Sequence, residues 1–154
     1  MPSFKKIIHH LIEKNISISL AESCTGGLLS SYFTEIQGVS QIFDMGLVTY
    51  SNNSKNTILD IPLSTIKKHG AVSEKVANLM SKNLSIISGS KICVSTTGIA
   101  GPSGGSKSKP VGLVYIGITV NKKTIVFKKK FNGSRKKIQK EIALFCLNTL
   151  YKLT

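Results

Sequence analysis

Three short apolar stretches, each breaking into small polar residues, constrain this chain more than any other feature. Ile16-Ser17-Ile18-Ser19-Leu20 leads into Ala21-Glu22-Ser23-Cys24-Thr25-Gly26-Gly27. Leu47-Val48-Thr49-Tyr50 leads into Ser51-Asn52-Asn53-Ser54-Lys55, and Ile92-Cys93-Val94-Ser95-Thr96 into Thr97-Gly98-Ile99-Ala100-Gly101-Pro102. Stretches of this length and composition read as strands. Segments with helical spacing lie around them: Phe4, Ile7, Ile8, Leu11 and Ile12; Leu28, Leu29, Tyr32, Phe33 and Ile36, closed by Gly38; and Val76, Ala77, Leu79, Met80, Leu84 and Ile87 behind a Ser73 cap. Short helical pieces are expected up to Ile61 and again between Pro62 and Gly70.

Strands separated by helices pair in parallel, and ligands gather beyond their carboxyl ends. The rest of the chain changes character. Val111–Val120 and Thr124–Phe131 read as a hairpin around Asn121-Lys122-Lys123, and Ser134 caps a final helix with Ile138, Ile142, Phe145 and Leu150 inward. The order predicts an α/β protein, a mixed sheet covered by helices, in a single domain spanning residues 1–154 without linkers or repeats.

Length and composition agree. A chain of 154 residues with 41% hydrophobic and 18% charged side chains can fold around a proper core rather than stay disordered. No apolar run approaches the roughly 18 residues of a membrane span. The basic residues near the N-terminus are interspersed with apolar ones instead of preceding an apolar block, so no leader and a cytoplasmic location are expected. Cys24, Cys93 and Cys146 are odd in number and have no metal-binding spacing, which points to reduced thiols and no metal.

The formal charge is +14, from 21 basic and 7 acidic residues, and Arg135 is the single arginine among the basic ones. All of the excess falls in residues 75–140, which contain no acid. Such a stretch invites a nucleic-acid reading. Trp is absent, however, and aromatics make up only 6%, so stacking platforms are scarce and arginine readers nearly missing. A solvated lysine surface is expected, with no nucleic-acid partner and no membrane.

Ser23 stands where a strand gives way to a helix, a place where backbone amides of Cys24, Thr25 and Gly26 could face a developing oxyanion. It fits a nucleophile, and equally a cap for a helix starting near Thr25. Cys24 is a rival nucleophile or a small buried residue. A serine nucleophile needs a base. His9, His10 and His69 adjoin no strand end, so a Ser–His–Asp triad finds little support. Lys55 fits the base if burial keeps it neutral, and is otherwise one more solvated lysine. Tyr50 could hydrogen-bond across the same pocket. The Gly98–Gly105 loop suits an anion or an ordinary turn; its Lys107-Ser108 follows Ser106, not glycine, so it is no P-loop.

Five strings stand in order here: Ala21-Glu22-Ser23-Cys24-Thr25-Gly26-Gly27, Thr49-Tyr50-Ser51-Asn52 with Lys55, His69-Gly70-Ala71-Val72-Ser73, Thr97-Gly98-Ile99-Ala100-Gly101-Pro102, and Lys109-Pro110-Val111-Gly112. Together they closely resemble the CinA C-terminal domain family, also called PncC or nicotinamide-nucleotide amidohydrolase. The resemblance runs from about Phe4 to Leu150.

It implies a three-layer α/β/α sandwich, a homo-oligomer, and hydrolysis of nicotinamide mononucleotide (NMN) to nicotinate mononucleotide and ammonia without cofactor or metal. On the family's pattern Ser23 is the nucleophile and Lys55 the general base, with Tyr50 beside them. Thr25, Gly26, Gly27, Thr97 and Gly98 would line the substrate site, and Arg135 would take the phosphate. Five positions depart from the pattern: Gln139 stands where a second arginine is common, Ser134 where an acid is, Met45 where a first of two glycines is, and Ser103 and Ser108 where a glycine and an acid are. A non-catalytic pyridine-nucleotide-binding or competence-associated module is the alternative implication.

Overall fold

The computed structural model describes residues 1–154. Five strands form one sheet: β1 (Ile18–Glu22), β2 (Phe43–Val48), β3 (Ile92–Gly98), β4 (Leu113–Val120) and β5 (Lys123–Lys130). Their spatial order is β2-β1-β3-β4-β5. β1 pairs in parallel with both β2 and β3, whereas β4 and β5 are antiparallel additions. The expected mixed α/β sheet is therefore observed.

Six α-helices cover the sheet: α1 (Phe4–Glu13), α2 (Leu28–Thr34), α3 (Asn52–Leu59), α4 (Leu63–His69), α5 (Glu74–Ser88) and α6 (Arg135–Leu153). The larger core packs α1, α2 and α6 on one face through Ile7, Leu11, Leu29, Phe33, Ile142 and Leu147. The smaller core packs α3, α4 and α5 on the other through Leu59, Ile66, Val76, Met80 and Leu84. From β1 the chain crosses by α2 to β2, then returns by α3–α5 to β3 on the opposite side of β1. The carboxyl end of β1 is thus the point where strand order reverses, the place where open α/β sheets form crevices.

The alternation in β1 and β3 has a different origin from the usual buried-and-wet pattern. Every residue of β1 is buried, and so are six of the seven in β3. Ile18, Leu20, Ile92 and Val94 enter the larger core. Their alternates include Ala21 and Cys93, which enter the smaller core, and Ser19 and Ser95, which with Thr119 of β4 are small, polar and buried. Ser95 donates to Ala77 O at 2.7 Å and Thr119 to Ser81 Oγ at 3.0 Å, so α5 is hydrogen-bonded to its face as well as packed on it. A Cβ on Gly117 would lie 2.4 Å from the Ala77 carbonyl oxygen, so glycine is required for so close an approach.

Some boundaries differ from the sequence expectation. β1 begins two residues after Ile16. The strand expected to be buried over Leu47–Tyr50 is instead Phe43–Val48, with exposed and half-buried residues alternating, because β2 is a sheet edge. α2 begins at Leu28, three residues after Thr25. Ile87, expected inward, is 48% exposed at the last turn of α5. The hairpin turns on two residues, Asn121 and Lys122, both at positive φ. Ser73 and Ser134 cap α5 and α6 as expected, accepting from Val76 N and Lys137 N.

Candidate active site

Ser23 follows β1 directly and its backbone N–H donates to Thr96 O at 2.9 Å, so the sheet holds it by the main chain. Lys55 comes from the first turns of α3, a helix started by Ser51, whose side chain accepts from Ser54 N. The sharp passage from edge strand to helix turns Lys55 inward, leaving it 1% exposed. Its Nζ lies 3.0 Å from Ser23 Oγ, 2.8 Å from Thr49 O and 3.3 Å from Tyr50 O.

No carboxylate pairs with this amine; the chain's two ion pairs are Lys5–Glu35 and Lys137–Glu141. Burial pushes the lysine down to about 8, from an ordinary value of 10.5. A neutral amine has two N–H donors and one lone pair. Thr49 O and Tyr50 O can take the two donors, which leaves the lone pair for the Ser23 hydroxyl proton. Such an arrangement can serve as a general base aimed at a nucleophile.

The turn after Ser23 sorts its amides into two groups. Gly26 N–H closes the turn onto Ser23 O at 3.1 Å, and Gly27 N–H donates to the Glu22 carboxylate at 3.0 Å. The Cys24 and Thr25 amides have no acceptor within the chain. Of the amides expected to receive an oxyanion, those two remain available and Gly26 is committed.

A cavity of about 260 Å³ opens onto Ser23 and Lys55, and Tyr50, Thr97, Gly98, Gly101 and Arg135 line it. Gly98 leaves no room for a side chain, since a Cβ there would sit 2.8 Å from Leu113 O. Thr97 Oγ1 donates to Ala71 O at 2.8 Å. The Arg135 guanidinium spans the mouth, donating to Gly101 O and to the Tyr50 hydroxyl, each at 2.8 Å. Both acceptors are neutral, so its positive charge has no acidic partner. The Tyr50 hydroxyl lies against Arg135 rather than against Ser23 or Lys55, while its carbonyl binds the lysine.

Six of the residues singled out by sequence therefore meet: Ser23, Lys55, Tyr50, Thr97, Gly98 and Arg135. Thr25, Gly26 and Gly27 do not line this cavity. They border a neighbouring hollow with Lys136, Gln139 and Lys140, because the turn folds back over α6. Thr25 Oγ1 is bonded to Thr96 Oγ1 at 2.8 Å, deep in the fold. Gln139, standing where a second arginine is common, donates to Cys24 O at 2.9 Å and so joins α6 to the turn. Cys24 is buried, and desolvation pushes its thiol up to about 12, away from the thiolate that a cysteine nucleophile needs.

Sequence reasoning missed Glu22 as a functional candidate. The last residue of β1, it is fully buried, and its carboxylate accepts from Gly27 N, Leu29 N, Ser30 N and Ser30 Oγ. It, rather than Ser23, caps α2. An acid ending an apolar strand just before a glycine pair and a helix was the signal. No group of three or more His, Cys, Asp or Glu side chains is arranged to hold a metal.

The family model for the CinA C-terminal domain matches residues 2–154. The chain is 45% identical over 147 residues to a CinA-like protein of Kosmotoga olearia, covering 95% of this chain and 36% of that one. It is 46% identical over 144 residues to a CinA-like protein of Fusobacterium nucleatum, covering 94% and 35%. The chain thus spans about a third of the length of these curated relatives. Among solved structures, the competence/damage inducible protein CihA from Agrobacterium tumefaciens superimposes with a TM-score of 0.93 at 33% identity, covering 99% of this chain and 97% of that one.

Proposed function

The chain belongs to the CinA C-terminal domain family, and from that premise we propose that it is an amidohydrolase that converts NMN to nicotinate mononucleotide and ammonia. The observation that carries this reading is the Ser23–Lys55 pair, 3.0 Å apart and closed off from solvent at the lysine.

Lys55, neutral, takes the Ser23 hydroxyl proton as Oγ attacks the carboxamide carbon. The oxyanion is received at the Cys24 amide, which has no acceptor within the chain and borders the cavity. The lysine, now charged, gives its proton to the departing nitrogen, and ammonia leaves an acyl-serine. Water, deprotonated by the same amine, then releases the carboxylate and restores Ser23. The balance is amide plus water to carboxylic acid plus ammonia, with no redox step. The unpaired Arg135 charge at the cavity mouth supports an anionic substrate, since a guanidinium matches phosphate in a bidentate way.

The test is ammonia release from NMN, beside nicotinamide riboside and nicotinamide, by the chain and by Ser23→Ala. Turnover of NMN that disappears in the variant, with the fold retained by circular dichroism, is the expected result. Undiminished turnover in Ser23→Ala overturns the mechanism, and binding of NMN without turnover by the unaltered chain favours a binding module instead.

A further inference from the structure

Glu22 has no cationic partner within ion-pair distance, although it is fully buried beside the proposed nucleophile. A buried carboxylate without a counter-charge is costly unless strong donors surround it. Here it has four. Oε2 accepts from Gly27 N at 3.0 Å and Leu29 N at 3.1 Å; Oε1 accepts from Ser30 N and Ser30 Oγ, both at 2.7 Å.

The consequence lies in what those donors have in common. Upstream of Ser23 the main chain is fixed by the sheet, through Ser23 N to Thr96 O and Thr49 N to Glu22 O. Downstream it passes through Gly26 and Gly27 at φ of 59° and 97°, residues whose backbone has the widest freedom. A turn built on two such glycines needs an external clamp to present one geometry. Glu22 supplies it, because its backbone belongs to the rigid side and its carboxylate grips the far side.

We propose that Glu22 is a positioning residue: its carboxylate clamps the 23–27 turn so that Ser23 Oγ meets Lys55 and the Cys24 amide stays available to the oxyanion. The proposal rests on the hydrolase reading above. The clamp acts on the transition state more than on ground-state binding, because the distance from nucleophile to base and the oxyanion donors matter most there.

Glu22→Gln keeps the shape but turns one acceptor into a donor facing the amides. We compare it with the unaltered chain and with Leu84→Ala, a truncation in the core under α5 that touches no part of the turn. The readouts are kcat and KM for NMN, the rate at which a fluorophosphonate labels Ser23, and thermal stability. Glu22→Gln is expected to lose kcat on the order of 10–100-fold with KM changed less than about threefold, and labelling should slow in parallel. Leu84→Ala is expected to keep kcat despite an equal or greater loss of stability.

Should Glu22→Gln not fold, Ser30→Ala removes one of the four bonds and is expected to lower kcat roughly 3–10-fold at unchanged KM. Unchanged kcat and labelling in whichever of these variants folds, or equal losses in Leu84→Ala, overturn the positioning role while leaving the hydrolase standing. An unaltered chain that neither releases ammonia nor labels at Ser23 removes the hydrolase reading and the role of Glu22 with it.

Discussion

Lys55 shows how one side chain can be read two ways until its surroundings are known. As one of many lysines it has no distinguishing mark; at 1% exposure, against Ser23 Oγ and two carbonyls, it has the surroundings that suit a base. Its lowered value of about 8 sets the pH profile. The neutral, competent form gains population as pH rises, so kcat/KM for NMN should climb through an apparent pKa near 8 and level off above it. A profile flat from pH 6 to 10 would contradict the base assignment. Lys55→Arg should be nearly inactive at every pH in that range, since a guanidinium does not give up its proton. Arg135 carries a separate expectation. Losing a charged contact of about 1.5–3 kcal/mol, Arg135→Ala should raise KM for NMN roughly 10–100-fold and change turnover of the riboside far less. Equal effects on both substrates would remove the phosphate from that position.

At the scale of elements, the two faces of the sheet use different chemistry. The α1/α2/α6 face is aliphatic, whereas the α5 face under β3 and β4 is built from Ser81, Ser95, Gly117 and Thr119, hydrogen-bonded to the helix and to one another. This is why alternation was legible in β1 and β3 although neither strand is wet on either side. The apolar run Leu47-Val48 was misleading for β2, since it read as buried and no local pattern revealed the edge position. The close approach of α5 yields a direct test. Gly117→Ala puts a methyl 2.4 Å from the Ala77 carbonyl, a contact with main chain that cannot swing away. Overpacking of this kind costs typically 1–3 kcal/mol, to be read from urea denaturation at constant m value. A variant as stable as the parent would show that α5 can shift freely. The hairpin edge needs no such precision: β5 carries Lys123, Lys128, Lys129 and Lys130, all exposed, a charged border that discourages strand addition.

At the scale of the molecule, the site is a cost that the fold absorbs. The folded value of Lys55 lies below its unfolded value of 10.5, so charging it disfavours the folded state. The penalty is complete below pH 8 and fades as pH rises from about 8 to 10.5. A shift of this size corresponds to about 3 kcal/mol at neutral pH. Lys55→Met removes the charge but strands the Thr49 and Tyr50 carbonyls, at about 1–3 kcal/mol for a buried one. The variant should therefore be inactive, and its stability relative to the parent should fall from pH 7 to pH 10 as the parent sheds the penalty of the charged lysine. Chemical denaturation at the two pH values checks it, and a stability difference that stays the same at both would show that burial does not lower Lys55. The surplus charge of residues 75–140 adds nothing to this balance at the site, apart from Arg135; its lysines are exposed except Lys109, which is half-buried against His69 O.

Much of this protein was determined by sequence alone. Periodicity over α1, α5 and α6, the caps Ser73 and Ser134, and the polar runs after three strands depend on neighbours close along the chain, which is why they are legible in it. So could the ordered motifs that carry the family resemblance. Tertiary structure alone decided the rest. Which lysine is buried and what ties the 23–27 turn to α6 depend on groups 32 positions apart in the case of Lys55 and Ser23, and 115 in the case of Gln139 and Cys24. Desolvation and hydrogen-bond satisfaction are set by everything packed around a group, and no window along the chain contains that information.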